Sequence, residues 1–312
     1  MSALERLGAV TDQSLSQFSK SQSQTQDTFG FKWKKTETYE SDDMKGIAEN
    51  WLMEKYLKGD PDRLRKYLGE GRKIILDAGC GSGYSALIFF KDILKDHDYL
   101  GVDISEAAWV AKDRFKEANQ PGDFLQADLC DIPIPDSSVD LIFSEGVLHH
   151  TDSTEESIKK LTHKLKDDGL FLFYVYVKKA PIREYTDDFI REEIKSLSNE
   201  EAWEKLIPLT KLGKALGELN VDIDIPEDID LLGIKKGKIN LQRLFYYNMC
   251  KTFYHPDLSI DNMNHINFDW FRPLNCHRHT ESEVRGYCDD AGLKIEEMTV
   301  DGSGITVVAR KL

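Results

Sequence analysis

Residues 74–83 read Ile-Ile-Leu-Asp-Ala-Gly-Cys-Gly-Ser-Gly, an apolar run that breaks into three alternate glycines. The apolar half suits a strand buried on both faces, and the glycines suit the turn by which a parallel strand passes into a helix. Gly79, Gly81 and Gly83 can take backbone angles closed to other residues and let a ligand lie against the main chain, while Asp77 sets an acceptor at the strand's end. The segment reads as a nucleotide cradle, and its neighbours must say what it holds.

From residue 72 the pattern alternates. Strands are expected at Lys73–Ala78, Tyr99–Asp103, Phe124–Asp128, Val139–Ser144 and Gly169–Val177, with helices at Tyr84–Leu94, Glu106–Asn119 and Ser153–Leu165. Such alternation builds a doubly wound, mostly parallel sheet. A helix at Glu281–Ala291 and two strands, Leu293–Val300 and Ile305–Lys311, joined by Asp301-Gly-Ser-Gly, complete it with an antiparallel pair. The expected fold is therefore α/β, a seven-stranded Rossmann-like sheet with an antiparallel last strand, formed by residues 71–177 and 278–312. Residues 178–277 break the rhythm and carry helical patterns near 184–216 and 237–254, a largely helical insertion after strand five. It is rooted at the carboxyl edge of the sheet, where open α/β folds bind ligands, so a cap over the site and a homodimerisation module both fit it.

At the other end, residues 1–28 read as a flexible arm, because Ser, Gln and Thr dominate 11–28 and offer little apolar surface to bury. Residues 29–70 form an N-terminal helical segment in which Met44, Ile47, Ala48, Trp51, Leu52, Tyr56 and Leu57 recur at three- and four-residue steps. Phe29-Gly-Phe-Lys-Trp33 is either a hydrophobic staple or a lid, and the second reading makes Trp33 a substrate-side candidate.

A net charge of −14, from 55 acidic and 41 basic side chains, repels phosphate backbones and anionic membranes, and argues for a small-molecule partner rather than nucleic acid. Five cysteines, at 80, 130, 250, 276 and 288, show no CxxC spacing, which suits a reducing compartment without disulfides. With no apolar leader at the N-terminus and no run long enough for a membrane span, the expectation is a soluble, cytoplasmic protein.

Glycine spacing alone does not choose the ligand. Gly81-x-Gly83-x-x-Ala86 also satisfies the looser dinucleotide pattern, so a nicotinamide-dependent oxidoreductase fits the turn as well. The wider series is Asp77-x-Gly-x-Gly-x-Gly, Gly101-Val-Asp103-Ile-Ser105, Gln126-Ala-Asp128-Leu, and Pro135-Asp-Ser-Ser-Val-Asp140-Leu-Ile-Phe-Ser-Glu145. Together these resemble class I S-adenosylmethionine-dependent methyltransferases of the small-molecule branch, similar to the ubiquinone and menaquinone methyltransferases. The resemblance is close over residues 72–177 and one of fold pattern over 278–312.

That resemblance implies S-adenosyl-L-methionine as cofactor and methyl transfer to a small molecule; the several tyrosines and histidines of the candidate pocket suit a hydroxylated, aromatic or glycosyl acceptor, so oxygen is preferred over nitrogen and carbon. It implies that Gly79 and Gly81 line the methionine portion, that Asp77, Cys80, Gly83 and Ile104 also bind the cofactor, and that Asp103 accepts both ribose hydroxyls. It further implies that Asp128 accepts the adenine amino group, Leu129 packs on the ring, and Ser144, Glu145 and Gly146 pass beneath the sulfonium. Local alternatives stand beside these roles: Asp103 as a helix cap, though Ser105 is better placed for that, Asp128 as a turn former, and a regulatory protein that binds cofactor without turnover. Asp140 is expected to be structural.

His149 and His150 follow the fourth strand, where an imidazole could take a proton from the acceptor or simply be satisfied by backbone at a helix start. Tyr246, Tyr247, His255, Asp269, Trp270, Arg272, His277 and His279, with Tyr176, are the candidates for a substrate pocket, although a Tyr pair on an amphipathic helix suits a core equally. Cys276-His277-x-His279 lacks a matching distant pair, so no metal is expected. Thr280-Glu-Ser-Glu283 is a capping box.

Overall fold

The apolar run becomes a strand, β1 (Ile74–Ala78), in a computed structural model that describes residues 3–8 and 18–312. Ahead of it lie α1 (Ala3–Leu7), α2 (Lys20–Trp33), α3 (Asp42–Leu52), a π-helical turn at Met53–Leu57 and α4 (Asp62–Leu68). After it come α5 (Tyr84–Phe89), β2 (Asp98–Asp103), α6 (Ala107–Glu117), β3 (Asp123–Gln126), β4 (Val139–Glu145), α7 (Thr154–Lys164) and β5 (Leu165–Tyr176). The chain continues through α8 (Pro181–Ile194), α9 (Asn199–Leu219), a hairpin of β6 (Asp222–Ile225) and β7 (Gly237–Asn240), α10 (Leu241–Asn248) and α11 (Ile260–Phe271). It ends in α12 (Glu281–Asp290), β8 (Leu293–Val300) and β9 (Gly304–Lys311). Two units result: one of residues 1–34, 46–177 and 277–312, the other of 35–45 and 178–276.

The first unit holds a seven-stranded sheet in the order β3-β2-β1-β4-β5-β9-β8. All neighbours are parallel except β9, which runs against both β5 and β8. The mostly parallel sheet with an antiparallel last strand is thus the fold read from the sequence. All six residues of β2 are buried, as helices on both faces require. Core side chains such as Leu76, Leu100, Ile142, Phe171 and Val307 form one continuous cluster. The strand order reverses between β1 and β4, and in open α/β sheets the ligand crevice lies at that switch point, outside the carboxyl ends of the strands.

One expectation is corrected here. Residues Lys20–Trp33 form a helix capped by Ser19, where an arm was expected as far as residue 28; residues 9–17 of that arm lie outside the described residues. The polar composition is used for contacts rather than solvent. Gln26 Nε2 donates to the Ile104 carbonyl (2.7 Å), and the hydroxyls of Ser19 and Ser21 donate to Asp152 (2.8 and 3.0 Å). The helix expected at Tyr84–Leu94 is also shorter, ending at Phe89.

The second unit has a polar interior. Arg183 and Asp187, both about fully buried, pair one helical turn apart on α8 (2.6 Å). Asp187 also accepts from the Trp270 indole (2.7 Å) and the Lys251 amide (3.0 Å). Thr210 of α9 donates to Asn264 (2.7 Å) and accepts from Asn267 (2.9 Å), both on α11. Every buried carboxylate or amide here has partners, as burial demands.

Candidate active site

Beyond β1 the chain turns through Gly79, Gly81 and Gly83 with φ of 92°, 50° and 72°. The amides of Gly79 and Cys80 both donate to the Val102 carbonyl on β2 (2.7 and 3.0 Å), which pins the turn to the sheet. A Cβ on Gly79 would stand 2.4 Å from the Val147 methyls, and one on Gly81 would stand 2.9 Å from the Trp33 indole. The turn therefore has glycine for two reasons, backbone angle and close approach. Trp33, at the end of α2, packs directly on the cradle.

Asp77 is buried and accepts from the Tyr99 hydroxyl (2.6 Å); burial lifts its carboxyl to about 7, against the hydrogen bond and with help from the Asp103 charge. Asp103 ends β2. Its Oδ2 accepts from the Gly81 amide (2.9 Å), and its Oδ1 accepts from the Ser105 amide (2.9 Å) and hydroxyl (2.6 Å). A carboxylate offers about four acceptor sites, so these three bonds leave one open on Oδ2. Accepting both ribose hydroxyls would require Ser105 to release its own. Ser105 also accepts from the Ala107 amide (3.2 Å), the capping duty expected of it. Burial raises the Asp103 carboxyl and drives the Cys80 thiol well above its ordinary value.

Further along the edge, Ile104 offers its carbonyl to both Gln26 and Gln126 (2.7 and 3.1 Å). Asp128 accepts from the Cys130 amide (2.8 Å) and starts the turn at Leu129–Asp131, so the turn-forming reading is realised with its other oxygen left for a ligand. Leu129 is buried in the core cluster. Asp140 accepts from the Ile74 amide (2.8 Å) and pairs with Lys166 (2.9 Å), the structural task expected of it.

On β4, the Ser144 hydroxyl donates to the Ala78 carbonyl (2.7 Å), which ties the ends of β1 and β4 together. Glu145 follows, and its carboxylate accepts from the Trp51 indole (3.0 Å) and from the Tyr56 hydroxyl. Gly146 has φ 73° and open space around it. His149 and His150 are 0% and 3% exposed, their rings in tilted contact (centroids 4.2 Å apart), with Tyr176 over His149 (3.7 Å) and Phe29 of α2 edge-on to His150 (5.0 Å). They sit in a packed aromatic layer, not on an open face.

The sequence reading of a single substrate pocket is divided by the structure. His277 and His279 belong to the first unit, where His277 Nε2 meets the Thr151 carbonyl and His279 Nε2 meets the Thr154 hydroxyl (both 3.0 Å). Trp270 and Arg272 are buried in the second unit, Trp270 on Asp187 and Arg272 on Asn199 and the Leu197 carbonyl. Both are corrected from pocket lining to internal supports. Tyr246 packs on Arg183 (4.9 Å), Tyr247 is half-exposed beside it, and His255 accepts from the Asp257 amide (3.4 Å). Among the described residues no three His, Cys, Asp or Glu side chains gather as metal ligands. Trp51, Lys55 and Tyr56 around Glu145 escaped the sequence reading; the apolar spacing of that helix marked Trp51 and Tyr56 as core-facing only.

His279 carries a pH signature. Burial, with the neighbouring His277, lowers it from 6.5 to about 4. Between those values the unfolded chain binds a proton that the folded one refuses, so stability falls as pH drops from about 6.5 and levels off near 4. Asp77, held protonated up to about 7, slopes the opposite way over the same window. Comparing His279→Gln with the unaltered chain isolates the histidine: urea midpoints should diverge below pH 6.5 by on the order of 2–3 kcal/mol. Parallel curves would refute it.

Residues 76–173 match the family described as a methyltransferase domain. That stretch of the first unit is similar to S-adenosylmethionine-dependent methyltransferase domains. This methyltransferase domain is 32% identical over 110 residues to a protein of Encephalitozoon cuniculi named as a methyltransferase, covering 34% of this chain and 47% of that one. It is 31% identical over 100 residues to a probable S-adenosylmethionine-dependent methyltransferase of Mycolicibacterium smegmatis, covering 31% of this chain and 36% of that one. The chain thus spans less than half the length of these curated relatives. Among solved structures, a magnesium protoporphyrin IX methyltransferase from Synechocystis with bound SAH aligns over 94% of this chain and 100% of its own, at 13% identity and a TM-score of 0.48. The cradle fits the family's cofactor at Asp103, which keeps one acceptor site for a ribose hydroxyl beside the glycine turn, while Val147 and Trp33 pack against Gly79 and Gly81. Among the described residues no helix is long and apolar enough to cross a membrane.

Proposed function

We propose that this chain transfers the methyl group of S-adenosylmethionine to an oxygen of a small-molecule acceptor and releases S-adenosylhomocysteine. The observation that carries the reading is the glycine turn at Gly79–Gly83, set at the switch point between β1 and β4 with the Asp103 carboxylate held against it. When bound, the cofactor supplies an activated methyl group on a good leaving group. The protein's part is then to hold the two reactants in line and exclude water, and no covalent nucleophile is needed.

In this reading Gly79 and Gly81 receive the methionine portion, Asp103 orients the ribose, Asp128 meets the adenine edge and Gly146 leaves room beneath the sulfonium. His149 or His150 serves as base only after the Phe29 and Tyr176 packing opens, because both rings are enclosed. Acceptor choice is assigned to residues 178–276, which branch from the sheet just beyond the carboxyl end of β5.

Calorimetry tests the cofactor half directly. The chain should bind S-adenosylhomocysteine at micromolar concentration and not NAD, and Asp103→Ala should weaken that binding by about 1–3 kcal/mol, the range for losing hydrogen bonds to a charged group. Unchanged affinity would remove Asp103 from the site. Radiolabelled methyl from S-adenosylmethionine should appear on hydroxylated aromatic acceptors; binding without transfer to any acceptor would leave a cofactor-binding regulator instead.

A further inference from the structure

Trp51 lies in the last turn of α3 with 39% of its surface exposed. A single apolar side chain at a surface is ordinary, and most such side chains are held by little. Trp51 is fixed on three sides. Its indole donates to Glu145 at the end of β4 (3.0 Å), the Tyr174 ring of β5 stands at 79° to it with centroids 5.9 Å apart, and the Lys55 ammonium lies 3.7 Å from its centroid. Glu145 is in turn aimed by the hydroxyl of the buried Tyr56.

Lys55 belongs to the π-helical turn that follows α3, a rare geometry found mostly at functional sites. Its Nζ is enclosed by protein, 3.1 Å from the Tyr174 centroid as well, and among the described residues no atom accepts a hydrogen bond from it. Two ring faces return only part of the hydration that an ammonium gives up there. Burial lowers it to about 8, against the pull of Glu145 and Asp301, so it is largely protonated at neutral pH. The enclosed ammonium covers one face of the Trp51 indole, and the exposed area therefore belongs to the other.

The open face stands where a ligand would come. Glu145 ends β4 at the carboxyl edge of the sheet, and Gly146 after it has no atom within 4 Å of where a Cβ would stand. A cation on the inner face draws the indole's π density inward and leaves the outer face poorer in electrons. Such a face stacks best on a ring rich in electrons, and a hydroxylated arene is one. We infer that Trp51 is a stacking platform for the methyl acceptor, polarised from beneath by Lys55, and that it selects planar hydroxylated arenes over saturated alcohols. The acceptor's part in this inference rests on the methyltransferase reading.

Two probes isolate the platform. 2-Naphthol and decahydro-2-naphthol share a carbon skeleton and a hydroxyl, and only the first has a π system. In calorimetry on the full chain saturated with S-adenosylhomocysteine, 2-naphthol should bind about three- to tenfold more tightly, the return of one aromatic stack. Simple burial would favour the saturated alcohol, which carries more apolar surface. Trp51→Leu should bring the two probes within about twofold of each other. Lys55→Met, which fills nearly the same space without the charge, should weaken 2-naphthol about threefold and leave the saturated alcohol unchanged. Equal affinities in the unaltered chain, no binding of 2-naphthol, or a preference that survives either substitution in full overturns the inference. Should a variant fail to fold, the order of the two probes on the unaltered chain still decides. Failure of S-adenosylhomocysteine to bind would instead refute the methyltransferase reading, and the same titrations on the free protein would then test the platform alone.

Discussion

Asp187→Asn is expected to destabilise the second unit by about 3–5 kcal/mol, the usual cost of breaking a buried ion pair from one side. The Arg183 guanidinium would keep its charge with both partners about 99% enclosed, and its bond to the Tyr246 carbonyl is to a neutral group. The loss reaches further than the pair. Asp187 is also the acceptor for the Trp270 indole and the Lys251 amide, and so joins α8 to α11 and to the loop after α10. Denaturant unfolding followed by tryptophan fluorescence would register it, and a change under 1 kcal/mol would show that the pair is dispensable. Replacing both partners, as Arg183→Met with Asp187→Leu, should recover most of the loss, because apolar substitutes remove the stranded charge.

Gly79→Ala should be the most damaging small change in the cradle. Its φ of 92° already disfavours a side chain, and the added methyl would meet Val147 at 2.4 Å. Backbone strain and overpacking together should cost about 2–4 kcal/mol of stability and move the turn. Affinity for S-adenosylhomocysteine should fall at least tenfold, since the displaced turn is the surface proposed to receive the methionine portion. Gly146→Ala is the control: it has a similar φ of 73° with no neighbour within 4 Å, so strain alone, about 1 kcal/mol, should appear. If the two variants behave alike, the close approach at Gly79 is not what the turn depends on.

The sheet could be read from the chain because its signals are local. Apolar runs such as Leu170–Val175 and the glycine breaks sit next to each other in sequence, and each strand announces itself within a few residues. α2 could not be read that way. Its Gln26 is held by Ile104, 78 positions away, and its Ser19 by Asp152, 133 positions away, so the polar tract looks unpartnered until the sheet exists. The second unit misled for a related reason: Trp270, Arg272 and the asparagines of α11 carry the residue types of a binding pocket, and a hydrogen-bonded interior uses the same types. At the site, Asp77, Asp103 and Glu145 were legible as strand-end acids. Lys55 was not, because a π-turn shifts the helical register by one residue and leaves no mark in an apolar pattern of threes and fours.

Val177 and His279 form a parallel bridge, and the His279 amide donates to the Tyr176 carbonyl at 2.9 Å. The backbone thus departs from the sheet and rejoins it at adjacent points. Whatever length is threaded between those points, the sheet meets the same two strand ends, and loop-closure entropy grows only slowly with that length. The junction works as a socket. A chain built this way can exchange the intervening cassette while the sheet and its glycine turn stay as they are.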